Sequence, residues 1–408
     1  MTWLVVILGL GLLVFLHELG HFSVARLVGM KPRAFYLGFP PALVKVERNG
    51  IEYGIGAIPL GGYVRIPGML RPAAEDFRAL FAPALREQPE LAAPVEAVAA
   101  PLAGEDFEAA RAALAPLNAA IDRAQLSSSA LRSARQAVRD VDDGTGADAY
   151  WRQPTWKRVA AIAAGPGMNV LVAFLIFFAV NATGAPSQTP GTEVAQVEAN
   201  TPAAAAGLRV GDRIVAVDGR STRTFTQIST LVRDSRGRPV TVTVYRDGRT
   251  ITLGPRRTIK RRGRWSWGFV PAGQLVSHPL GASARLAAGD CWRVVTGTVG
   301  SVGNLVRGQS GAGVTGPVGI VRTSAQVLRV GFQWYLVLLG LISMSIALFN
   351  LLPLLPLDGG NILFSIIEGV RGRAVPRAVY ERFSRFGLAL ILVITVIALS
   401  NDIGSTPR

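Results

Sequence analysis

The chain has 408 residues, enough for two or three domains; half of them are hydrophobic, 17% are charged, and the mean hydropathy is +0.34. That balance excludes an ordinary soluble enzyme and suits a membrane protein with soluble parts. The formal net charge is +16, but no nucleic-acid-binding motif accompanies the arginines of 209–264, which read as a solvated face or a patch for anionic headgroups.

Four segments are apolar enough for a bilayer: 2–26, 159–180, 334–355 and a shorter 386–399. The first lacks a basic leading region and a small-residue cleavage site, so it reads as a span rather than a cleaved signal. Near its end stands Phe15-Leu16-His17-Glu18-Leu19-Gly20-His21. On a helix, His17 and His21 project from one face, one turn apart, as two nitrogen ligands of a single zinc ion would. Glu18 beside them is a candidate base for a metal-activated water. A carboxylate at membrane depth costs roughly 2.5–3.5 kcal/mol on insertion scales, which marks it as functional. At about 1.5 Å per residue His17 lies roughly 24 Å along the helix, close to one membrane boundary.

In 35–66, two short strands flank Arg48-Asn49-Gly50, a hairpin signal, followed by Gly54, Gly56, Gly61 and Gly62. Glycine-rich strands at the membrane surface could hold a substrate backbone along an edge, with Gly61 and Gly62 as candidate contacts. The stretch 71–148 is alanine-rich and carries 13 of the 27 acidic residues. It reads as a cytoplasmic helical insertion, broken near Pro116 or 127–129, with a Gly/Asp-rich linker at 140–148. The second span opens on Gly165-Pro166-Gly167-Met168-Asn169; small residues allow close helix approach, and Asn169 needs a polar partner, near the metal or in the substrate cleft. Strand patterns at 192–198, 213–217, 239–245 and 250–253 place a small α+β domain at 187–258. An amphipathic helix is expected near 284–310, and a turn at 313–320. The third span runs into Asn350-Leu351-Leu352-Pro353-Leu354-Leu355-Pro356-Leu357-Asp358-Gly359-Gly360. Its prolines force the helix to unwind, and irregular backbone at this depth must line a cavity or be buried in protein. Asp358 then matches the depth of the histidines. Cys291 is the only cysteine, so neither an intramolecular disulfide nor a thiolate cluster is available.

Basic residues near the spans (Arg26, Lys31, Arg33; Arg152, Lys157, Arg158; Arg371 to Arg385) place 27–158 and 357–385 in the cytoplasm, and 182–330 with both chain ends outside.

The His17–His21 and Asn350–Gly360 motifs together resemble the site-2 protease family of intramembrane zinc metalloproteases, in its bacterial branch of RseP-like sigma-factor regulators. Gly61-Gly62-Tyr63-Val64, Gly165-Pro166 with Asn169, and Gly316-Pro317-Val318-Gly319-Ile320 resemble that family's lesser signatures. Residues 201–219 resemble part of a PDZ domain. The resemblance implies one zinc held by His17, His21 and Asp358, Glu18 as general base, and Asn350 as a polar group in the substrate cleft. The fold it implies is an α-helical polytopic membrane protein of about four transmembrane helices, with a membrane-associated β-hairpin region and one extracytoplasmic PDZ domain. The domains are then 1–26 first span, 27–70 hairpin region, 71–150 insertion, 151–181 second span, 187–258 PDZ domain, 259–330 linker and amphipathic helix, 331–360 third span, and 361–408 cytoplasmic segment and fourth span. The implied partners are single-span membrane proteins such as anti-sigma factors, the lipid bilayer of the bacterial inner membrane, and a peptide or new C-terminus on the PDZ domain, with no nucleic acid. Two other classes fit less: a PDZ scaffold without catalysis, and a metal or ion transporter, which should show internal repeats that are not found.

Overall fold

The computed structural model describes residues 2–261, 264–306 and 316–404. Among these, four helices are long and apolar enough to cross a membrane: α1 (Thr2–Leu27), α7 (Thr155–Thr183), α12 (Phe332–Asn350) and α14, whose apolar stretch is Arg377–Asp402. The chain is thus a mostly helical membrane protein with added β-sheets.

After α1 come β1 (Ala34–Arg48) and β2 (Ile51–Arg65), joined through Asn49 and Gly50. Both have positive φ, 54° and 72°, as a tight hairpin turn with right-handed strand twist requires. The strands are longer than the sequence pattern suggests and fold over on themselves. Residues 34–37 lie between 52–55 and 62–65, while 52–55 also pairs with 44–47. Segment 62–65 is left with one paired side.

The stretch expected as a broken helical insertion is five α-helices: α2 (Ala74–Glu87), α3 (Ala92–Ala103), α4 (Phe107–Ala112), α5 (Leu114–Arg123) and α6 (Ser128–Thr145). They enclose their own core around Phe77, Phe81, Leu117 and Ile121. Pro116 sits in the first turn of α5, where a missing N–H costs nothing. The break falls before α6, which Ser127 caps through the Ala130 N–H. No linker forms over 140–148. The helix runs on to Thr145, and Asp140, Asp143 and Asp148 bind Arg33 and Arg65 at the two ends of the hairpin.

Beyond α7 a sheet of order β10-β3-β4-β6-β7 forms from β3 (Ala185–Val197), β4 (Arg213–Val217), β6 (Pro239–Arg246), β7 (Arg249–Arg257) and β10 (Phe269–Val276); β5 (Arg220–Ser221) adds to β4. Helices α8 (Pro202–Ala205) and α9 (Phe225–Asp234) accompany it, with the small ribbon β8 (Ile259–Arg261) and β9 (Arg264–Ser266). The boundary expected at 258 is too early. Trp267 is fully buried in the same core as Ile214 and Val242, and β10 pairs with β3. Asp212, 1% exposed, takes two hydrogen bonds from Arg246 (2.6 Å each) and one from the Arg209 N–H. Burial works against its charge, but the Arg246 guanidinium and the Arg209 N–H outweigh it and hold the carboxyl below its usual range.

Helix α10 (Leu280–Val306) packs on α7 and α12. Of the turn expected at 313–320, residues 313–315 lie outside the described ones. The remainder is helical, since α11 (Pro317–Val330) begins immediately after Gly316. Helix α12 stops at Asn350, five residues short of the expected span. The prolines at 353 and 356 cannot donate within a helix, so 351–357 turn before α13 (Asp358–Arg371) begins. Helix α14 (Arg377–Gly404) is twice as long as the apolar run at 386–399, because its first turns carry arginines that hydropathy excludes from a span.

Candidate metal centre

Two helices and a broken end build the site. Helices α1 and α7 touch where Gly20 faces the Ala164 carbonyl and the Met168 Cβ; a Cβ on Gly20 would overlap the Ala164 backbone. At the next residue of each helix, a Cβ on Gly165 would occupy the His21 imidazole. Gly165 thus serves proximity: a bare backbone lets the ring come close against α7. Gly359 and Gly360 play the same part for Asp358, as a side chain on either would strike the backbone of 351–355. The unwound turn and the first turn of α13 pack directly on each other and fix the carboxylate.

The outcome is a triangle. His17 Nε2, His21 Nε2 and Asp358 Oδ2 are each 3.3 Å from the other two. Ligands about 2.0–2.1 Å from a tetrahedral ion stand about 3.3–3.4 Å apart, so the three atoms trace one face of such a site. Both histidines are 7% exposed, and Asp358 Oδ2 is buried without a hydrogen bond, an orphan that an ion within the triangle would satisfy.

The outer partners carry the same signature. His21 Nδ1 lies 3.0 Å from the Ala161 carbonyl, which fixes its proton there and turns Nε2 toward the triangle. His17 Nδ1 is 3.2 Å from the Asn169 carboxamide nitrogen, while Asn169 Oδ1 is fully buried and unpartnered. With Nε2 ligating, His17 Nδ1 is protonated and needs an acceptor. A half-turn of the carboxamide supplies one and satisfies the orphan oxygen. The residues present therefore fit a divalent metal. Asn169, 0% exposed, faces His17 rather than an open cleft, and its own carbonyl accepts from Ser343 Oγ of α12 at 2.8 Å.

Glu18 is half-buried and, among the described residues, has neither a hydrogen-bond nor an ion-pair partner. Gly62 lies against it; a Cβ there would overlap the Glu18 side chain. The half-paired segment 62–65 therefore passes directly over the carboxylate. Gly61, at φ +138°, rests on the Phe39 ring. Asn350 closes α12, its amide bonded back to the Ile346 carbonyl at 3.1 Å. Sequence reasoning missed Ala161 and Ser343, which act through a backbone carbonyl and a hydroxyl and leave no motif.

This arrangement of two helical histidines, an acidic neighbour and a distant aspartate defines a metallopeptidase centre within a helical membrane base. A model described as peptidase family M50 matches residues 5–394, and the chain belongs to that family. It is 32% identical to the putative zinc metalloprotease Atu1380 of Agrobacterium fabrum, over 98% of this chain and 94% of that protein. It is 30% identical to the regulator of sigma-W protease RasP of Bacillus subtilis, over 96% of each chain. Zinc metalloprotease RasP of Bacillus licheniformis is 29% identical over 98% of each.

Proposed function

We propose that the chain is an intramembrane zinc metalloendopeptidase that cuts transmembrane segments of single-span membrane proteins. The observation that carries this reading is the 3.3 Å triangle of His17, His21 and Asp358 beside the unpartnered Glu18. In this reading the three residues hold one zinc and leave a fourth position open, as in catalytic rather than structural sites. A zinc ion held by His17, His21 and Asp358 would supply an acidified water and polarisation of the scissile carbonyl. Glu18 takes the proton at its carboxylate and returns it to the leaving amide nitrogen. Asn169 keeps His17 oriented. The substrate helix must unwind to expose a carbonyl, and the free side of 62–65 offers its strand a partner directly over Glu18, with the Cβ-free Gly61 and Gly62 admitting it closely. Asn350 would border that cleft.

The sheet spanning β3 to β10 is read as a PDZ domain that admits substrates already trimmed to a new C-terminus. The name of the Bacillus subtilis relative supports anti-sigma factors as substrates. Arginines and lysines at the starts of α7 and α14 support a bacterial plasma-membrane orientation with the metal toward the cytoplasm and the sheet domain outside.

The test is co-expression with a trimmed single-span substrate. Glu18→Gln should slow cleavage by about 10²–10⁴-fold with metal content unchanged. Processing at the wild-type rate would leave a PDZ scaffold as the better reading.

A further inference from the structure

Where α7 begins and α13 ends, a cavity of about 210 Å³ is lined by Arg71, Arg158, Arg373, Thr155 and Glu368, among others. It adjoins a larger cavity of about 580 Å³ between the helical block and the membrane base, and shares Arg71, Arg158 and Glu368 with it. Three guanidinium groups face one carboxylate, and that carboxylate is already committed. Glu368 accepts from Arg158 at 2.6 Å through Oε2 and from the Val375 N–H at 2.9 Å through Oε1. Arg158 is 8% exposed, and its buried Nε has no acceptor in the protein. Arg71 stacks over Trp151 at 4.7 Å, and its ion pair is a long 3.6 Å contact with the exposed Glu105. Arg373 has neither a hydrogen bond nor an ion pair with any described residue.

Backbone donors add to this. Thr155 opens a 29-residue helix behind Pro154, which offers no side-chain cap, so the first N–H groups and the positive end of the helix face the same space. An arginine without an acid partner among the described residues, a second held only by a long ion pair, a buried N–H without an acceptor and an uncapped helix start together call for a tetrahedral anion with several oxygens. The surroundings identify its carrier. Trp156, 62% exposed, and Val370, 83% exposed, follow the lining residues Thr155 and Gly369 in the chain, Trp156 in the first turn of the candidate span α7. An exposed tryptophan there belongs at headgroup level, with apolar surface for acyl chains beside it.

We propose that this cavity holds the phosphate of an anionic phospholipid. The proposal is independent of the peptidase reading, because its readout is lipid rather than cleavage. Full-length protein in neutral detergent is titrated with phosphatidylglycerol, with phosphatidylcholine and with inorganic phosphate, and bound species are counted by native mass spectrometry. The wild type should retain phosphatidylglycerol at least about tenfold more tightly than phosphatidylcholine. Arg71→Gln and Arg373→Gln should each weaken retention by about tenfold, with Arg71→Lys and Arg373→Lys intermediate and metal content unaltered throughout. Arg285→Gln on α10 should change nothing. Equal retention by the glutamine variants, equal binding of both lipids, or inorganic phosphate displacing phosphatidylglycerol at equal concentration would each overturn the proposal.

Discussion

The membrane base and the helical block of 74–145 are both made of packed helices, yet different physics holds each together. The block is a small water-soluble core: Phe77 and Phe81 are almost fully buried with ring centres 4.8 Å apart, and Leu117 and Ile121 close over them. Its stability comes from apolar area withdrawn from water. In the base that drive is absent, because lipid is as apolar as leucine. Its contacts are instead close approaches at Gly20, Gly165 and Gly340, and single polar links such as Ser343 to the Asn169 carbonyl. Volume is what the block cannot lose, and volume is what the base cannot gain.

Opposite substitutions should therefore damage the two regions. Gly165→Ala adds one methyl where the His21 ring lies. The ring must turn, and its bond to the Ala161 carbonyl goes with it. Expected are a loss of metal affinity of about 100-fold and of cleavage to match, read by elemental analysis of the purified membrane protein. The helical block should melt as before. Phe81→Ala does the converse. It empties a fully buried site and should cost the block about 3–5 kcal/mol, seen as faster limited proteolysis within 74–145, while the metal stays bound. If Gly165→Ala kept its metal, or Phe81→Ala released it, the two regions would not be the separate structures described.

The two regions were also unequally legible. His17, Glu18, His21 and Asp358 stand out because membrane depth makes each improbable and ligand chemistry restricts each to a few residue types. That Asp358 joins the two histidines is what the family resemblance implies, with matching depth beside it, whereas which atoms of Asn169 face His17 leaves no sign in the sequence. The prolines announced a break, but the helix end at Asn350 depends on where backbone donors run out. In the helical block, by contrast, 140–148 reads locally as a linker, since aspartate and glycine are poor helix formers. Tertiary contacts overrule this: Trp151 Nε1 bonds the Gly144 carbonyl at 2.7 Å, and Arg33 and Arg65 bind the aspartates. A charged surface residue gives no sign in sequence of the partner that folding brings to it. Strand β10 was missed for a related reason, as it follows a basic stretch and pairs with a strand some 80 residues earlier.

The joint between the regions gives the smallest and most specific expectation. Asp143 binds Arg33 Nε at 2.7 Å with one oxygen and Arg65 Nη2 at 2.9 Å with the other, and is 17% exposed. Arg65 ends the segment that begins over Glu18 at Gly62, about 10 Å away along an extended strand. Asp143→Asn removes the charge but keeps the shape, so neither the core around Phe81 nor the metal triangle should change. The hairpin base should loosen by about 1 kcal/mol, as expected between an exposed and a buried pair. On the proposed mechanism this raises KM for the substrate several-fold and leaves kcat nearly unaltered, because the strand edge positions the chain while Glu18 moves the proton. Salt separates this from a general loss of fold. Wild-type KM should climb between about 0.05 and about 0.5 M salt as the pairs are screened, whereas the asparagine variant should start higher and climb less, since only the Asp148 and Asp140 pairs remain to be screened. A fall in kcat alone would mean that the helical block reaches the site by some route other than the strand it grips.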